Sequence, residues 1–187
     1  MFREMRLKRQ LLSKEDTQKV LYQGTSGVLA VSGDDDYPYA VPLSYVYDGH
    51  KIYFHGAKAG HKLDSIVKNP KASFCVIDKD QIVPDEYTTY FRSVIVFGTI
   101  RILHDEAEKR EAIEKLAVKY APDDTEENRN KAIEREWNPL CMLEMTPEHI
   151  SGKEALGTAL TNVLNGSSDL DSAIEEAQAT IEFNIGQ

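Results

Sequence analysis

Residues 39–70 read YAVPLSYVYDGHKIYFHGAKAGHKLDSIVKNP. Asp48-Gly49 joins two runs rich in Tyr, Val, Ile and Phe, which predicts a tight hairpin between strands 39–47 and 51–55. The second strand gives way to HGAKAGHK. Leu63, Ile66 and Val67 then recur at helical spacing until Asn69-Pro70 stops the helix. A hairpin followed by a Gly- and Lys-rich loop and a short helix sets the frame for the rest of the chain.

Upstream, Ser13 with Asp16 predicts a capped helix ending near Gln23, after a basic arm carrying Arg3, Arg6, Lys8 and Arg9. GVLAVSG (27–33) is a strand and GDDDYP a turn. Downstream, KASFCVID (71–78) is a strand, and residues 79–88, with Pro84, read as a loop. TYFRSVIVFGTIRIL (89–103) is a long strand bent at Gly98. Asp105 with Glu108 opens a helix whose Ile113, Leu116, Ala117 and Tyr120 share one face, and Ala121-Pro122 ends it. A second helix spans roughly 124–136. LCMLEMTP (140–147) is the last barrel strand and EHISGKEALG a loop. Ser168 with Asp171 caps a final helix striped by Leu170, Ile174, Ala177 and Ile181. About six strands in meander-like order, with no βαβ alternation, predict a mainly β fold: an antiparallel barrel with peripheral helices.

The chain has 187 residues and a net charge of −9, which argues against a general nucleic-acid binder. Glu154, Asp169, Asp171, Glu175, Glu176 and Glu182 follow the last lysine, so most of the excess lies in the tail. Cys75 and Cys141 sit in apolar runs and read as buried free thiols. No segment is long enough to cross a membrane and no signal peptide opens the chain, so a cytoplasmic location is expected. The histidines and cysteines show no metal-ligand spacing, and there is no P-loop or G-x-S-x-G elbow.

Three stretches carry chemistry. HGAKAGHK stands at a helix N-terminus, where unpaired N–H groups and the helix dipole favour an anion. Gly56 and Gly60 permit close backbone approach, Lys58 and Lys62 add charge, and His55 and His61 can donate hydrogen bonds. An exposed strand-to-helix connection would carry the same residue types for solubility alone. Pro42 interrupts YAVPLSYVY, so this strand lies on a sheet edge or loses pairing there, with or without a ligand facing it. Arg92 and Ser93 are polar residues at the start of an apolar strand, which fits either a solvated strand end or a site.

Together, YAVPLSYVY, IYFHGAKAGHKLDSIVKNP, YFRSVIVFG and EHISGKEA resemble the FMN-binding split-barrel superfamily, in its branch related to pyridoxamine 5′-phosphate oxidase and the nitroimidazole-resistance (Nim) proteins. The resemblance covers roughly residues 1–155 and implies a six-stranded antiparallel split β-barrel, with 156–187 as an acidic C-terminal extension. It also implies a homodimer with FMN at the subunit interface. Backbone groups of Val41, Pro42, Leu43 and Ser44, with the Ser44 hydroxyl, would run along the flavin. Lys62 stands seven residues before Asn69-Pro70, as the oxidase's phosphate-binding lysine does. His61 and Gly60 replace that oxidase's Arg and Ser, so His55, Gly56, Ala57 and Lys58 are expected to supplement the phosphate site. Arg92 and Ser93 align with the strand that reaches the flavin. Ile95 replaces the oxidase's second arginine there, which argues against pyridoxamine phosphate as substrate.

The function so implied is an FMN-dependent oxidoreductase passing electrons from NAD(P)H to a small acceptor such as a nitroaromatic. His55 is the candidate catalytic residue. A flavin store or sensor without turnover and a haem-binding relative are the alternatives.

Overall fold

The computed structural model describes residues 2–155. Six strands form the expected barrel: β1 (Ser26–Ser32), β2 (Pro38–Tyr47), β3 (Ile52–Ala57), β4 (Lys71–Val83), β5 (Thr88–Ile102) and β6 (Leu140–Ala155). The closed order is β1-β2-β3-β6-β5-β4, every pairing antiparallel. Four helices lie outside: α1 (Lys14–Gln23), α2 (His61–Lys68), α3 (Glu106–Tyr120) and α4 (Glu126–Glu136). Among the described residues no helix is long and apolar enough to cross a membrane. The acidic extension and the helix expected from Ser168 lie outside the described residues.

Local chemistry accounts for most boundaries. The Ser13 side chain accepts the Asp16 N–H at 3.0 Å and opens α1, and Asp105 accepts the Ala107 and Glu108 N–H groups and opens α3. Gly49, at φ 98°, turns the β2–β3 hairpin, and Asp48 Oδ1 accepts the N–H groups of His50 and Lys51. Asn69 ends α2 and ties it to β1 by donating from Nδ2 to the Ser32 hydroxyl at 3.0 Å.

Two expected loops are strand instead. Residues 79–83 extend β4 and pair with 88–92, beyond a register shift between Ile77 and Lys79. Their side chains are mostly exposed, so the apolar alternation that marks a strand is missing. Residues 148–155 continue β6, with 149–155 paired to 91–97 of β5. Pro147 reads as a breaker, yet it sits opposite Gly98 at a register shift where regular pairing is interrupted anyway. The bend expected at Gly98 is this bulge. A Cβ on Gly98 would lie 2.2 Å from the Thr146 carbonyl oxygen, so only glycine fits.

The barrel interior is filled by Leu29, Tyr45, Phe54, Phe74, Val94, Leu143 and their neighbours. A second cluster, with Val46, Tyr53, Leu116, Leu140 and Met142, packs α3 on the outside of β3 and β6. Trp137 packs against it, and the Lys109 ammonium sits 3.9 Å from its ring centroid. Both cysteines are free, as expected. Cys141 is buried, whereas Cys75 is only half-buried because it faces outward from β4.

Candidate functional site

β2 and β3 pair only over Tyr45–Tyr47 and Ile52–Phe54. Beyond Tyr45 the strands diverge. Residues 38–44 of β2 remain paired to β1 along one edge, and His55–Ala57 of β3 remain paired to β6. The barrel is therefore split between these two segments. Pro42 lies in the open part of β2, consistent with a residue that cannot donate to a ladder. Burial alternates there: Tyr39, Val41 and Leu43 pack against the core, while Pro42 is exposed on the outer face. Val41 and Leu43 thus have only backbone groups to offer the split.

β3 leaves the barrel at Ala57, and Gly60, at φ 126°, starts α2. That left-handed conformation favours glycine. The Gly60 carbonyl accepts the N–H groups of Leu63 and Asp64, which leaves those of His61 and Lys62 outside the helical ladder. Lys62 folds back over β3, where a Cβ on Gly56 would lie 2.8 Å from Nζ. Burial lowers the Lys62 pKa, and among the described residues no carboxylate pairs with it. A half-buried ammonium without a counter-ion, beside free helix N–H groups, is suited to an anion. Lys58 is exposed nearby, lining a hollow with Cys141 and Lys109.

The two loop histidines part company. His55 stays at the split. Partial burial lowers its pKa and the Lys62 ammonium adds to the effect, so the imidazole is neutral at pH 7. His61 instead tilts against Tyr39, with ring centroids 4.2 Å apart, and places Nε2 3.5 Å from Asp34.

Arg92 and Ser93 are not brought to this corner within one chain. Gly56 pairs with Cys141 and Arg92 with Glu154, at opposite ends of β6, roughly 40 Å of strand path at ~3.3 Å per residue. Arg92 also donates two hydrogen bonds to Glu154 and faces Asp78 at 3.4 Å.

Two site elements escaped sequence reasoning. Tyr120, expected on the apolar stripe of α3, carries its hydroxyl to the closed end of the split. There it accepts the Tyr45 N–H at 3.1 Å and donates to the Thr25 carbonyl. Beside it, between β3, α3 and α4, lies a cavity of about 300 Å³ lined by His55, Tyr120 and Arg129 among largely apolar side chains. Tyr120 belonged to a legible helical pattern, but nothing local tied it to Tyr45. Arg129 carries no local signal. The corner as a whole offers a positive site, an open backbone edge, a neutral imidazole and an apolar hollow, a combination suited to a planar, anionic ligand.

Comparison with known proteins gives a consistent answer. An uncharacterized protein of Rhizobium meliloti (strain 1021) is 33% identical over 88 residues, 47% of this chain and 53% of that protein. The chain thus spans about half the length of the curated relative it matches. Similar solved structures include a candidate 5-nitroimidazole antibiotic resistance protein from Bacteroides thetaiotaomicron (17% identity, TM-score 0.64, covering 77% of this chain and 86% of that one). Another is an FAD-binding protein from Mesorhizobium loti (24%, TM-score 0.59, 78% and 97%). A third is an FAD- and haem-binding protein from Mycobacterium smegmatis (19%, TM-score 0.63, 90% and 80%). These likenesses establish the split-barrel fold. The pattern of the pyridoxamine 5′-phosphate oxidase family matches residues 13–154. A match from the N-cap of α1 to the end of β6, on a barrel of this order, makes the chain a member of the pyridoxamine 5′-phosphate oxidase family.

Proposed function

We propose that the chain is a flavin-dependent oxidoreductase that binds FMN at the split and passes electrons from NAD(P)H to a small acceptor such as a nitroaromatic. The observation that carries this reading is the Lys62 ammonium, unpaired among the described residues and resting on Gly56 in the part of β3 that no longer pairs with β2. Lys62, Lys58 and the N–H groups at the start of α2 would hold the phosphate. The backbone of Val41–Ser44 and the Ser44 hydroxyl would line the ring, with Gly56 and Ala57 allowing close approach. When bound, the flavin supplies the redox chemistry. His55, neutral at pH 7, would give or accept a hydrogen bond beside it. The flavin-binding solved structures named above lend support to a flavin as the ligand.

The reading includes a homodimer. Pro42, Val28, Cys75 and Ile95 form one row across the outer face of β2, β1, β4 and β5, and Val28 and Ile95 are 38% and 39% exposed. A second copy seated on this row would cover apolar surface and reach Pro42 on the strand that lines the split. In that arrangement Arg92 and Ser93 serve the other copy's site.

The test is the absorbance of the purified protein and the mass of whatever it releases. FMN in wild type and its loss in Lys62→Ala supports the reading, and a colourless protein that takes up no FMN on titration overturns it. NAD(P)H oxidation with a nitroaromatic acceptor then separates an enzyme from a flavin store.

A further inference from the structure

We propose that the basic arm before α1 is a docking surface for this chain's own acidic segment, with Asp169, Asp171, Glu175, Glu176 and Glu182 drawn against Arg3, Arg6 and Arg9. The inference goes beyond the flavin reading and does not rest on it, since none of these residues is assigned to the phosphate or the ring.

The arm is tied to the end of β6 at two points. The Phe2 ring stacks on His149, with centroids 4.9 Å apart and planes 10° apart. Farther along, Leu11 forms a bridge with Lys153, and the Leu12 N–H donates to the Gly152 carbonyl at 3.0 Å. Between these points the arm turns through the 3-10 helix Lys8–Gln10. β6 ends at Ala155, just past the residue that Leu11 bridges, so the segment that follows leaves the barrel beside the arm.

The cations of the arm have little to hold them. Arg3, Arg6, Lys8 and Arg9 are all exposed, and the arm's own carboxylate, Glu4, lies 2.8 Å from Lys8. Among the described residues no carboxylate pairs with Arg3, Arg6 or Arg9. Of the nearby acids, Asp16 accepts from the Ser13 hydroxyl at 2.6 Å, and Glu154 accepts two hydrogen bonds from Arg92. Gln10, next to the Leu11 bridge, has its Oε1 buried without a donor. Native structures rarely leave such an acceptor unmet, and a backbone N–H beyond Ala155 would satisfy it.

The occupant follows from charge and reach. Residues 156–187 hold five carboxylates and no lysine or arginine. Fourteen residues separate Ala155 from Asp169, a length that spans roughly 20 Å as a coil. Tethering gives an effective concentration of about millimolar, so exposed ion pairs that are weak singly act together. Guanidinium forks accept carboxylates in a bidentate fit. A polyanion from outside would have to displace this tethered segment, on a chain whose net charge is −9.

The experiment treats the full-length protein with a water-soluble carbodiimide, which joins an amine to a carboxylate in contact with it, and maps the products by mass spectrometry. Lys8 is the reporter amine, and the exposed pair Lys131–Glu127, 2.6 Å apart, is the internal control. Wild type should couple Lys8 to residues 169–182 within one chain. The yield should fall about fivefold or more at about 0.5 M salt, and equally in the variant Arg3→Glu, Arg6→Glu, Arg9→Glu. Adding Asp169→Lys, Asp171→Lys, Glu175→Lys and Glu176→Lys to that variant should restore coupling, now from arm glutamates to lysines of the segment. Circular dichroism checks that each variant is folded. Absence of the wild-type products while Lys131–Glu127 forms overturns the proposal, as does a yield indifferent to the arm reversal. Products that join only isotope-labelled to unlabelled chains in a mixed sample overturn it too. So does a wild-type protein that binds heparin as tightly as one with all five carboxylates neutralised, because its arm would then be free.

Discussion

The Lys62 ammonium rests on Gly56 so closely that a β-carbon there would lie 2.8 Å from Nζ. The contact joins the start of α2 to the free end of β3, and it makes Gly56 a residue whose side chain matters by being absent. Gly56→Ala should push the ammonium away while leaving the barrel intact, because the clash is with the end of a flexible side chain. FMN affinity, read by quenching of flavin fluorescence, should fall about tenfold or more in Lys62→Ala and by less in Gly56→Ala. Unchanged affinity in both would remove the anion site from this corner.

His55 provides a spectroscopic reporter on the same corner. Its pKa lies below the ordinary 6.5, first because of burial and second because of Lys62. In an NMR pH titration Lys62→Met should raise the His55 midpoint without restoring it fully, since the larger cause remains. A midpoint at or above 6.5 in the wild-type protein would mean that the imidazole is solvated and away from the ammonium.

Tyr120 closes the inner end of the split. Tyr120→Phe keeps the ring and removes the hydroxyl, leaving the Tyr45 N–H and the Thr25 carbonyl without this partner. Urea unfolding should show a loss of about 1 kcal/mol, the usual cost of a partly solvated hydrogen bond. A loss below a few tenths would mean that water replaces the hydroxyl freely.

Asp48 should give the protein an acid-sensitive component of stability. Burial raises the pKa of its carboxyl, but the Lys115 ammonium and the N–H groups of Lys51 and His50 outweigh that and hold it at about 2, below the ordinary 3.8. A carboxylate lowered in the folded state contributes stability that is complete above its unfolded pKa and is lost as pH falls through the folded one. Between about pH 4 and pH 2, wild type should therefore lose about 1–2 kcal/mol more than Asp48→Asn, allowing for solvent screening. Glu144 is lowered in the same direction: burial opposes the change, but hydrogen bonds from Arg101 and Lys51 prevail. The Asp48 contribution is thus read as the difference between the two melting curves across pH.

What could be read along the chain was set by distance in sequence. The Asp48-Gly49 hairpin, the caps at Ser13 and Asp105 and the stop at Asn69 each depend on neighbours within a few residues, and each stands as expected. Gly56 and Lys62 were each legible as members of one loop, but the contact between the Lys62 ammonium and Gly56 was not, because it depends on how the side chain folds back over β3. Residues 79–83 and 148–155 were not legible as strand, because their pairing partners rather than their own alternation hold them extended. Arg92 illustrates the same limit at a candidate ligand: the Glu154 that holds it is 62 residues away. Tyr120 meets Tyr45 across 75 residues.

β6 pairs with β3 along one part of its length and with β5 along nearly all of it. During synthesis, a chain that has emerged only as far as Pro139 has made five of the six strands but cannot close the ring. β3 and β5 would both present unpaired backbone, and open strand edges invite pairing with other chains. The last segment of the barrel to leave the ribosome is thus the one that protects the others, and nascent chains halted before Leu140 should be aggregation-prone in a way that the finished barrel is not.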